Sequence, residues 1–372
     1  MIRKVKLIDI AEALGISTGT VHRALHNHVG VSAMTKTRVQ QMAKSLGYRP
    51  NLAARYLSSK RNLRVSVNTL QGATSFWDEV REGISQEARA LLMENVEIEF
   101  RTYPSLGEGE EEAFDAALKA EVDGIITFPS RPQGLQSWIR RASRGGVPVV
   151  CVATDAPHTG RLAVVSIDTL ASGCLAADLM GNLMRGTGKV AVTMSAIAIT
   201  EHAEKSKAFE STLRKLYPDV GPVETIEDHD VETEAYEKCR SLFRQHPDLT
   251  GVYVTTEASI PVLNAARDAH MLDRLTVITT DLFPALVPEL RSRAVAATIY
   301  QRPRTQGRMA FRVLHEFLVE GECPSFQVTL APHLVMRGNL DFFLQRQSQE
   351  TNVEKGARLR SSASDAADEY FG

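Results

Sequence analysis

The first residues of the chain carry the apolar spacing of short packed helices. Leu7, Ile8, Ile10, Ala11 and Leu14 recur at three- and four-residue spacing, which predicts one apolar face of an amphipathic helix. Gly15 follows directly and can end that helix in a left-handed turn, because glycine has no Cβ to clash there. The pattern therefore predicts a helix that stops at Gly15.

Two further helices are predicted behind this turn. Ser17 or Thr18 can cap the second helix through a side-chain hydroxyl, and Thr35 is the predicted cap of the third. The inner positions are Val21, Ala24 and Leu25 in the second helix and Val39, Met42, Ala43 and Leu46 in the third. A tight helix pair followed by a third helix favours a helix-turn-helix, whose second helix leaves its outer face free to enter a major groove.

From residue 62 onward, short apolar runs alternate with helical patterns. The predicted strands are 64–70, 96–103, 124–128, 148–153, 189–194, 251–256, 275–280 and 295–300. The predicted helices are 77–93, 109–121, 134–144, 169–185, 203–217, 231–246, 259–270, 284–292 and 303–320. This alternation predicts parallel, doubly wound sheets, and its length predicts two of them. No GxxxxGK[ST] or strand-linked GxGxxG motif occurs, which disfavours nucleotide chemistry.

Charge is distributed unevenly between these two regions, called here the head (residues 1–61) and the body (residues 62–344). The head holds eleven Lys or Arg against Asp9 and Glu12, although the whole chain of 372 residues has a formal net charge of -2. A basic head on an acidic body indicates that the head meets a polyanion. Four scattered cysteines without a CxxC motif argue against a disulfide framework and against a zinc site.

Composition and motifs also exclude several classes of protein. No run of about 18 apolar residues occurs, which argues against a membrane-spanning helix. The N-terminal segment MIRKVKLIDIAEALG lacks the continuous apolar stretch of a secretory signal, so we expect a cytoplasmic protein. Because no nucleophile elbow or HExxH motif is present, we expect neither an enzyme nor a metal or cofactor site.

The head resembles a known family at the level of motifs. The pieces DIAEALGIS, TV-RAL, VS--T---V and LGY-PN-AAR-L occur in this order, and they are similar to the headpiece of the lactose-repressor (LacI/GalR) family of bacterial transcription regulators. The resemblance is dense over residues 6–61 and weaker to about residue 344. It implies an α+β multidomain fold: a helix-turn-helix headpiece over 1–50, a hinge helix and linker over 51–61, a two-lobed α/β sensor of the periplasmic-binding-protein type (type I) over 62–344, and a polar tail over 345–372.

The resemblance also implies which head residues touch DNA. Thr18, Gly19 and Arg23 fall at base-reading positions, and Arg23 suits guanine because its planar fork can donate to O6 and N7 together; a salt bridge from Arg23 to phosphate is the alternative. Backbone contacts are implied for Ser17, Thr20, His22 and Ser32. Two departures from the family are the missing side chain of Gly19 and the histidine at position 22, where the family usually has serine.

Residues 51–59, NLAARYLSS, resemble the hinge helix of the family. Asn51 is the predicted cap, Ala54 lies on the same side as Leu57, and Leu57 matches the leucine that wedges between base steps in the minor groove. A nine-residue helix is marginal by itself. We therefore expect this helix to fold only on DNA and beside the hinge helix of a partner chain.

Polar and aromatic residues that follow the predicted strands match the pocket positions of the family. By this resemblance the pocket contains Phe76, Trp77, Asp155, Arg161, Lys205, Asp281 and Gln301. An indole face stacks on a sugar ring, and carboxylate and guanidinium groups pair with hydroxyls, so a sugar or sugar derivative is the expected ligand. Lys205 departs from the usual arginine. Two alternatives stay open: Phe76 can be a core residue, and Asp168 can cap helix 169–185 instead of contacting the ligand.

Together these features predict a ligand-responsive, sequence-specific transcription regulator that acts most simply as a repressor. We expect a homodimer that reads a pseudo-palindromic site in double-stranded DNA, because two-fold protein symmetry requires two-fold half-sites. Two alternatives stay open. The same architecture could sense a non-sugar metabolite such as a purine, or the chain could be an α/β enzyme fused to a DNA-binding module. The tail lacks apolar heptads, so we expect it to be disordered and not to form a tetramerising helix.

Overall fold

The computed structural model describes residues 7–25, 31–46, 62–71, 74–91, 96–321, 323 and 325–345. It divides into two compact units, one of Met1–Asn62 with His315–Cys323 and one of Leu63–Leu314 with Pro324–Gly372. The predicted hinge helix and nearly all of the predicted polar tail lie outside the described residues.

The described part of the head consists of three helices, as the apolar spacing predicts. They are α1 (Leu7–Leu14), α2 (Thr18–Leu25) and α3 (Ala33–Ser45). Their shared core consists of Ile10, Ala11, Val21, Ala24, Val39 and Ala43, all buried. Two of these six residues are β-branched valines and three are alanines, so the helices can approach one another closely while still burying apolar surface.

The turn between the first two helices also follows the sequence prediction. Gly15 adopts a left-handed φ of 64°, and the amide of Ile16 donates to the carbonyl of Ala11 at 3.0 Å. Ser17 caps α2, because its Oγ accepts a bond from the amide of Thr20 at 3.2 Å. The cap of α3 is Ser32 and not Thr35 as predicted: the Oγ of Ser32 accepts from the amide of Thr35 at 3.2 Å. The sequence offered two hydroxyl residues three positions apart, and only the path of the chain decides between them.

The body contains two six-stranded sheets. Its strands are β1 (Leu63–Leu70), β2 (Val96–Tyr103), β3 (Gly124–Thr127), β4 (Val149–Val152), β5 (Ala163–Ile167), β6 (Thr187–Met194), β7 (Asp219–Glu227), β8 (Gly251–Val254), β9 (Thr276–Thr280), β10 (Ala297–Tyr300), β11 (Gln327–Leu330) and β12 (His333–Val335). The strand orders are β11-β5-β4-β3-β1-β2 and β12-β10-β9-β8-β6-β7. All neighbouring strands run parallel except β12, which is antiparallel to β10.

Helices connect the strands of each sheet. They are α4 (Thr74–Ala90), α5 (Glu110–Lys119), α6 (Pro132–Arg144), α7 (Thr169–Leu183), α8 (Thr200–Leu216), α9 (Glu232–Gln245), α10 (Ser259–Asp268), α11 (Val287–Ser292) and α12 (Pro303–Glu320), with 3₁₀ turns at Leu272–Arg274 and Pro284–Leu286. Parallel neighbours need such crossovers, and the central strands are fully buried. The predicted doubly wound, two-lobed α/β body is confirmed.

Four strands are absent from the sequence prediction. The interior of β7 contains Gly221 and Pro222, residues that normally argue against a strand, and β7 tolerates them because it lies at the edge of its sheet. The apolar run of β5 lies between Arg161, a predicted pocket residue, and Asp168, and the strand prediction did not include it. The strands β11 and β12 have only four and three residues, which is too short for a periodic signal.

The two sheets have the same strand topology, and this shared topology positions the site. Without β11 and β12, the orders are β5-β4-β3-β1-β2 in the first lobe and β10-β9-β8-β6-β7 in the second. In each lobe, the strand order reverses beside the first strand. In open parallel sheets, ligands bind beyond the carboxyl ends of the strands near such a reversal.

Candidate functional site

The outer face of α2 carries the head residues that were predicted to read bases. Thr18, Gly19 and Arg23 are exposed, and an added Cβ at Gly19 would meet nothing closer than the Ser17 Oγ at 3.9 Å. The Thr20 hydroxyl accepts from Arg23 Nη2 at 3.4 Å and lies 2.9 Å from the Ser17 Oγ. The arginine therefore lies along one turn of the exposed helix face, close to the two hydroxyl residues predicted to contact phosphate.

The remaining predicted DNA contacts are only partly described. Ser32 is exposed at the start of α3, where its Oγ lies 2.9 Å from the hydroxyl of Thr35. The side chain of His22, and the predicted hinge residues Asn51, Ala54 and Leu57, lie outside the described residues.

The body contains a cleft with a volume of about 450 Å³, part of it open to solvent. It is lined by Phe76, Trp77, Phe128, Ala153, Ser195, Glu201, His202, Asp230, Thr255, Thr256, Glu257, Asp281 and Gln301. Every lining residue follows the carboxyl end of a strand, and both lobes contribute. This is where a doubly wound fold is expected to hold a ligand.

One wall of the cleft is aromatic and consists of Phe76, Trp77 and Phe128. The rings of Phe76 and Trp77 meet edge to face, with centroids 4.8 Å apart. Trp77 also packs on Phe128 at 4.6 Å. Such pairs fix ring orientation, so Trp77, of which only 3% is exposed, presents a rigid apolar surface to the cleft.

Four acidic residues also line the cleft and are called here the acidic wall: Glu201, Asp230, Glu257 and Asp281. Asp230 and Asp281 have left-handed φ angles of 58° and 67°. Non-glycine residues adopt this conformation at a cost of order 1–3 kcal/mol, and they concentrate at functional sites. The backbone therefore holds two carboxyl groups in the cleft against its own conformational preference.

A chain of buried hydrogen bonds joins both ends of the acidic wall. The Lys205 Nζ donates to the Gln301 Oε1 at 2.6 Å and forms an ion pair with Glu201. The Gln301 Nε2 donates to the Asp281 Oδ2 at 2.7 Å, and the Gln301 amide donates to the Oδ1 at 3.1 Å. Lys205 is fully buried and does not line the cleft, so it acts on the cleft through Glu201 and Gln301.

Burial changes the protonation of the cleft. Loss of solvent raises the pKa of Asp281 to about 7, although the hydrogen bonds from Gln301 and the charge of Lys205 oppose this. Burial also raises the pKa values of Asp230 and Glu257. The pKa of His202 falls to about 3, because burial and the nearby Lys205 disfavour imidazolium. At neutral pH His202 is therefore uncharged.

One polar group in the cleft lacks a partner among the described residues. The hydroxyl of Thr255 is buried at 0% exposure and has no hydrogen-bond partner there. Buried hydroxyls are nearly always bonded to protein or water. Thr255 can therefore donate to or accept from a ligand without first breaking an internal bond.

The structure brings together some of the predicted pocket residues but not all. Phe76, Trp77, Asp281 and Gln301 line the cleft, and Lys205 lies directly behind it. Asp155 and Arg161 do not line it, because they pair with each other through two hydrogen bonds, one of them 2.7 Å from Arg161 Nη2 to Asp155 Oδ2. The guanidinium also donates to the Phe326 carbonyl at 3.3 Å, and the placement of these two residues in the ligand pocket stays a prediction.

The alternative interpretation of Asp168 is the one that the structure supports. Its Oδ1 accepts from the amide of Ala171 at 2.8 Å, so Asp168 caps α7. Its carboxylate satisfies one of the free amides at the start of that helix.

Sequence reasoning missed seven polar residues of the cleft: Ser195, Glu201, His202, Asp230, Thr255, Thr256 and Glu257. Asp230 was missed because β7, the strand that precedes it, was not predicted. Glu257 had a usable signal, since it follows the predicted strand 251–256 directly. Glu201 and His202 stand in the same segment as Lys205, TEHAEK, and only the burial of the first helical turn reveals that they face the cleft.

Two kinds of feature are absent from the described residues. No group of three His, Cys, Asp or Glu side chains among them could hold a metal ion. No helix in the described part of the chain is long and apolar enough to cross a membrane.

Comparisons with known proteins match both parts of the chain. Residues 6–51 match the family described as bacterial regulatory proteins, lacI family, and residues 65–322 match the periplasmic binding protein domain. Catabolite control protein A of Staphylococcus aureus is 24% identical over 345 residues, which cover 90% of this chain and 98% of that protein.

Solved structures resemble the body. GanP, a glucose-galactose binding protein from Geobacillus stearothermophilus, has a TM-score of 0.70 at 23% identity and covers 75% of this chain and 99% of its own. A solute-binding protein of an ABC transporter from Burkholderia graminis, solved with D-arabinose, has a TM-score of 0.71 at 21% identity and covers 75% and 97%. At these identities the likeness shows the fold.

The family matches agree with the sequence motifs, the three-helix head and the two-lobed body. They confirm the prediction of a regulator and not an enzyme, with DNA and a small-molecule effector as partners. The chain therefore belongs to the periplasmic binding protein domain family over most of its length and, with its lacI-type head, is a DNA-binding bacterial regulatory protein of the lacI family.

Proposed function

We propose that a sugar or sugar derivative bound in the cleft controls the affinity of this regulator for its operator. The observation that carries the proposal is the cleft itself: an aromatic wall faces carboxyl, amide and hydroxyl groups at the carboxyl ends of both sheets. Aromatic faces stack on the C–H surface of a sugar, and the polar groups pair with its hydroxyls. Proteins with the same fold that bind glucose and galactose, or that were solved with D-arabinose, agree with this ligand class.

We propose that the regulator works in the cytoplasm as a homodimer on a pseudo-palindromic operator. Effector binding between the lobes changes their closure, and the hinge segments over 51–61 transmit that change to the heads. A coupling of about 1–3 kcal/mol is typical for two sites linked in this way. The purine-type alternative has less support, because the cleft offers more acidic acceptors than a base edge would use.

Arg23→Ala is expected to relax base preference at one position of each half-site. Loss of a bidentate contact to guanine costs roughly 1–3 kcal/mol against that base and little against the others. Selection of bound sequences from a random DNA pool measures this effect, and Arg38→Ala on α3, also exposed, is the control, for which we expect unchanged preference. An equal loss of affinity on every sequence would assign Arg23 to phosphate instead.

Trp77→Ala is expected to weaken effector binding about thirtyfold, because large buried aromatics are typical hot spots worth about 2 kcal/mol. The chain has only two tryptophans, which makes Trp138→Ala the matched control. Trp138 lies outside the cleft, where its Nε1 donates to Glu111 at 3.0 Å. Titration of a sugar panel by calorimetry, with operator release or capture as a second readout, tests both variants. If both substitutions weakened effector binding equally, the cleft would not be the effector site.

A further inference from the structure

We infer that the effector carries a positively charged amino group in addition to its hydroxyls, and that the acidic wall binds this group. The inference rests on the proposed function, since it names the chemistry of the ligand in the same cleft. Sugar binding alone requires only hydrogen-bonding groups, whereas this cleft has an excess of acidic over basic side chains.

The excess appears when the ion pairs are counted. Among the described residues that line the cleft none is Lys or Arg, and His202 is neutral. Glu201 is neutralised by Lys205 from behind the wall. Asp230, Glu257 and Asp281 form no ion pair with a Lys or Arg anywhere in the described part of the chain. Three carboxyl groups therefore share one cleft without a cation.

The hydrogen bonds that these carboxyl groups do accept come from neutral donors. The Glu257 Oε2 accepts from the amide of Phe76 at 3.2 Å, and Asp281 accepts from the amide and side chain of Gln301. Neutral donors stabilise a carboxylate but do not cancel its charge. The carboxyl groups also act on one another: the charge of Asp230 raises the pKa of Glu257, and the charge of Glu257 raises that of Asp281.

A neutral ligand would make this situation worse. It would displace water from the carboxyl groups without supplying a counter-charge, and burying an uncompensated charge is costly. An ammonium group supplies both the charge and strong charge-assisted hydrogen bonds. A metal ion is a poorer candidate, because no three-ligand cluster exists among the described residues.

Two observations that are independent of the carboxyl groups point to the same ligand. The fully buried hydroxyl of Thr255 has no partner among the described residues and lines the same cleft, so a polar ligand group is expected beside it. The aromatic wall faces the same space, and aromatic rings attract ammonium groups through their negative faces. A hydroxylated amine uses the acidic wall, Thr255 and the aromatic wall together.

The test compares ligands that differ only in charge. We would titrate the full chain by calorimetry with glucose, glucosamine and N-acetylglucosamine, with the corresponding galactose series, and with putrescine as an amine that has no hydroxyl. The pH is held below the pKa of the sugar amines. The expected result is a preference of at least about tenfold for an amino sugar over both its neutral partners.

Two variants locate that preference. Glu257→Gln keeps an oxygen that can accept from the Phe76 amide but removes the charge, so we expect it to reduce the ratio of amino-sugar to neutral-sugar affinity severalfold. Glu112→Gln, at an exposed position of α5, is the control and should leave the preference unchanged.

The outcomes separate this inference from the proposed function. Equal binding of neutral and amino sugars would overturn the inference and leave a sugar sensor. Binding of putrescine but of no sugar would support the charge and overturn the sugar class. No binding by any ligand of the panel would count against both.

Discussion

Lys205→Met should lower the free energy of unfolding of the body by about 3–5 kcal/mol, the usual loss when one partner of a buried ion pair is removed. Lys205 is buried at 0% exposure, and its Nζ holds Glu201 and Gln301 together. Methionine keeps most of the apolar stem but leaves Glu201 as a buried carboxylate without a counter-charge. Urea unfolding followed by circular dichroism measures the difference.

The chain offers a closely matched control for this substitution. Lys238 pairs with Glu234 on α9 at the same spacing of four residues and in the same order, at 2.6 Å, but the two side chains are 41% and 39% exposed. Surface pairs of this kind contribute about 0–1 kcal/mol, so Lys238→Met should change stability little. If both substitutions had the same small effect, burial of the first pair would not govern its energy.

Asp281→Asn should remove a large part of the pH dependence of stability. Burial raises the pKa of this carboxyl from 3.8 to about 7 in the folded protein. Below about pH 4 both folded and unfolded states hold the proton, so the group has no effect. As pH rises from about 4 to about 7 the unfolded state ionises first, and the folded state loses stability relative to it. At 1.36 kcal/mol per pKa unit, the loss amounts to about 4 kcal/mol above pH 7.

The measurement is urea unfolding of the wild type and of Asp281→Asn at a series of pH values across this range. Asparagine changes the bonds to Gln301, which shifts the free energy of unfolding by an amount that does not depend on pH. Beyond that constant shift, the variant should become more stable relative to the wild type as pH rises. Asp248→Asn is the control: the hydrogen bond from Lys189 lowers the pKa of Asp248, so this carboxyl is ionised in both the folded and the unfolded state over most of this range and the difference should change little. A constant difference for Asp281→Asn would show that the carboxyl is ionised freely in the folded state.

The described part of the head could be predicted almost completely from its sequence, because its structure depends on local signals. The apolar spacing identified three helices, and Gly15 marked the turn between the first two. The choice between Ser32 and Thr35 as a cap failed, since both have a hydroxyl and only the backbone geometry distinguishes them.

The candidate site was only partly predictable, because it depends on which strand ends meet. Trp77, Asp281 and Gln301 follow predicted strands and do line the cleft. Asp155 follows a predicted strand as well, yet Arg161 of its own loop engages it. Asp230 remained hidden because its strand contains a glycine and a proline that only an edge position tolerates.

The sequence by itself determined the class of the protein: a basic three-helix head, a doubly wound two-lobed body and the motifs of a DNA-binding regulator. These features depend on residue periodicity and spacing along the chain, which the sequence contains in full. Only the tertiary structure decided the chemistry of the cleft. The bond from Lys205 to Gln301 and the three carboxyl groups left without a cation involve residues far apart in the chain. Glu201 and Lys205 are only four residues apart, but their burial depends on the rest of the fold. Their charges depend on burial and on neighbours that folding brings together, and no local pattern records either.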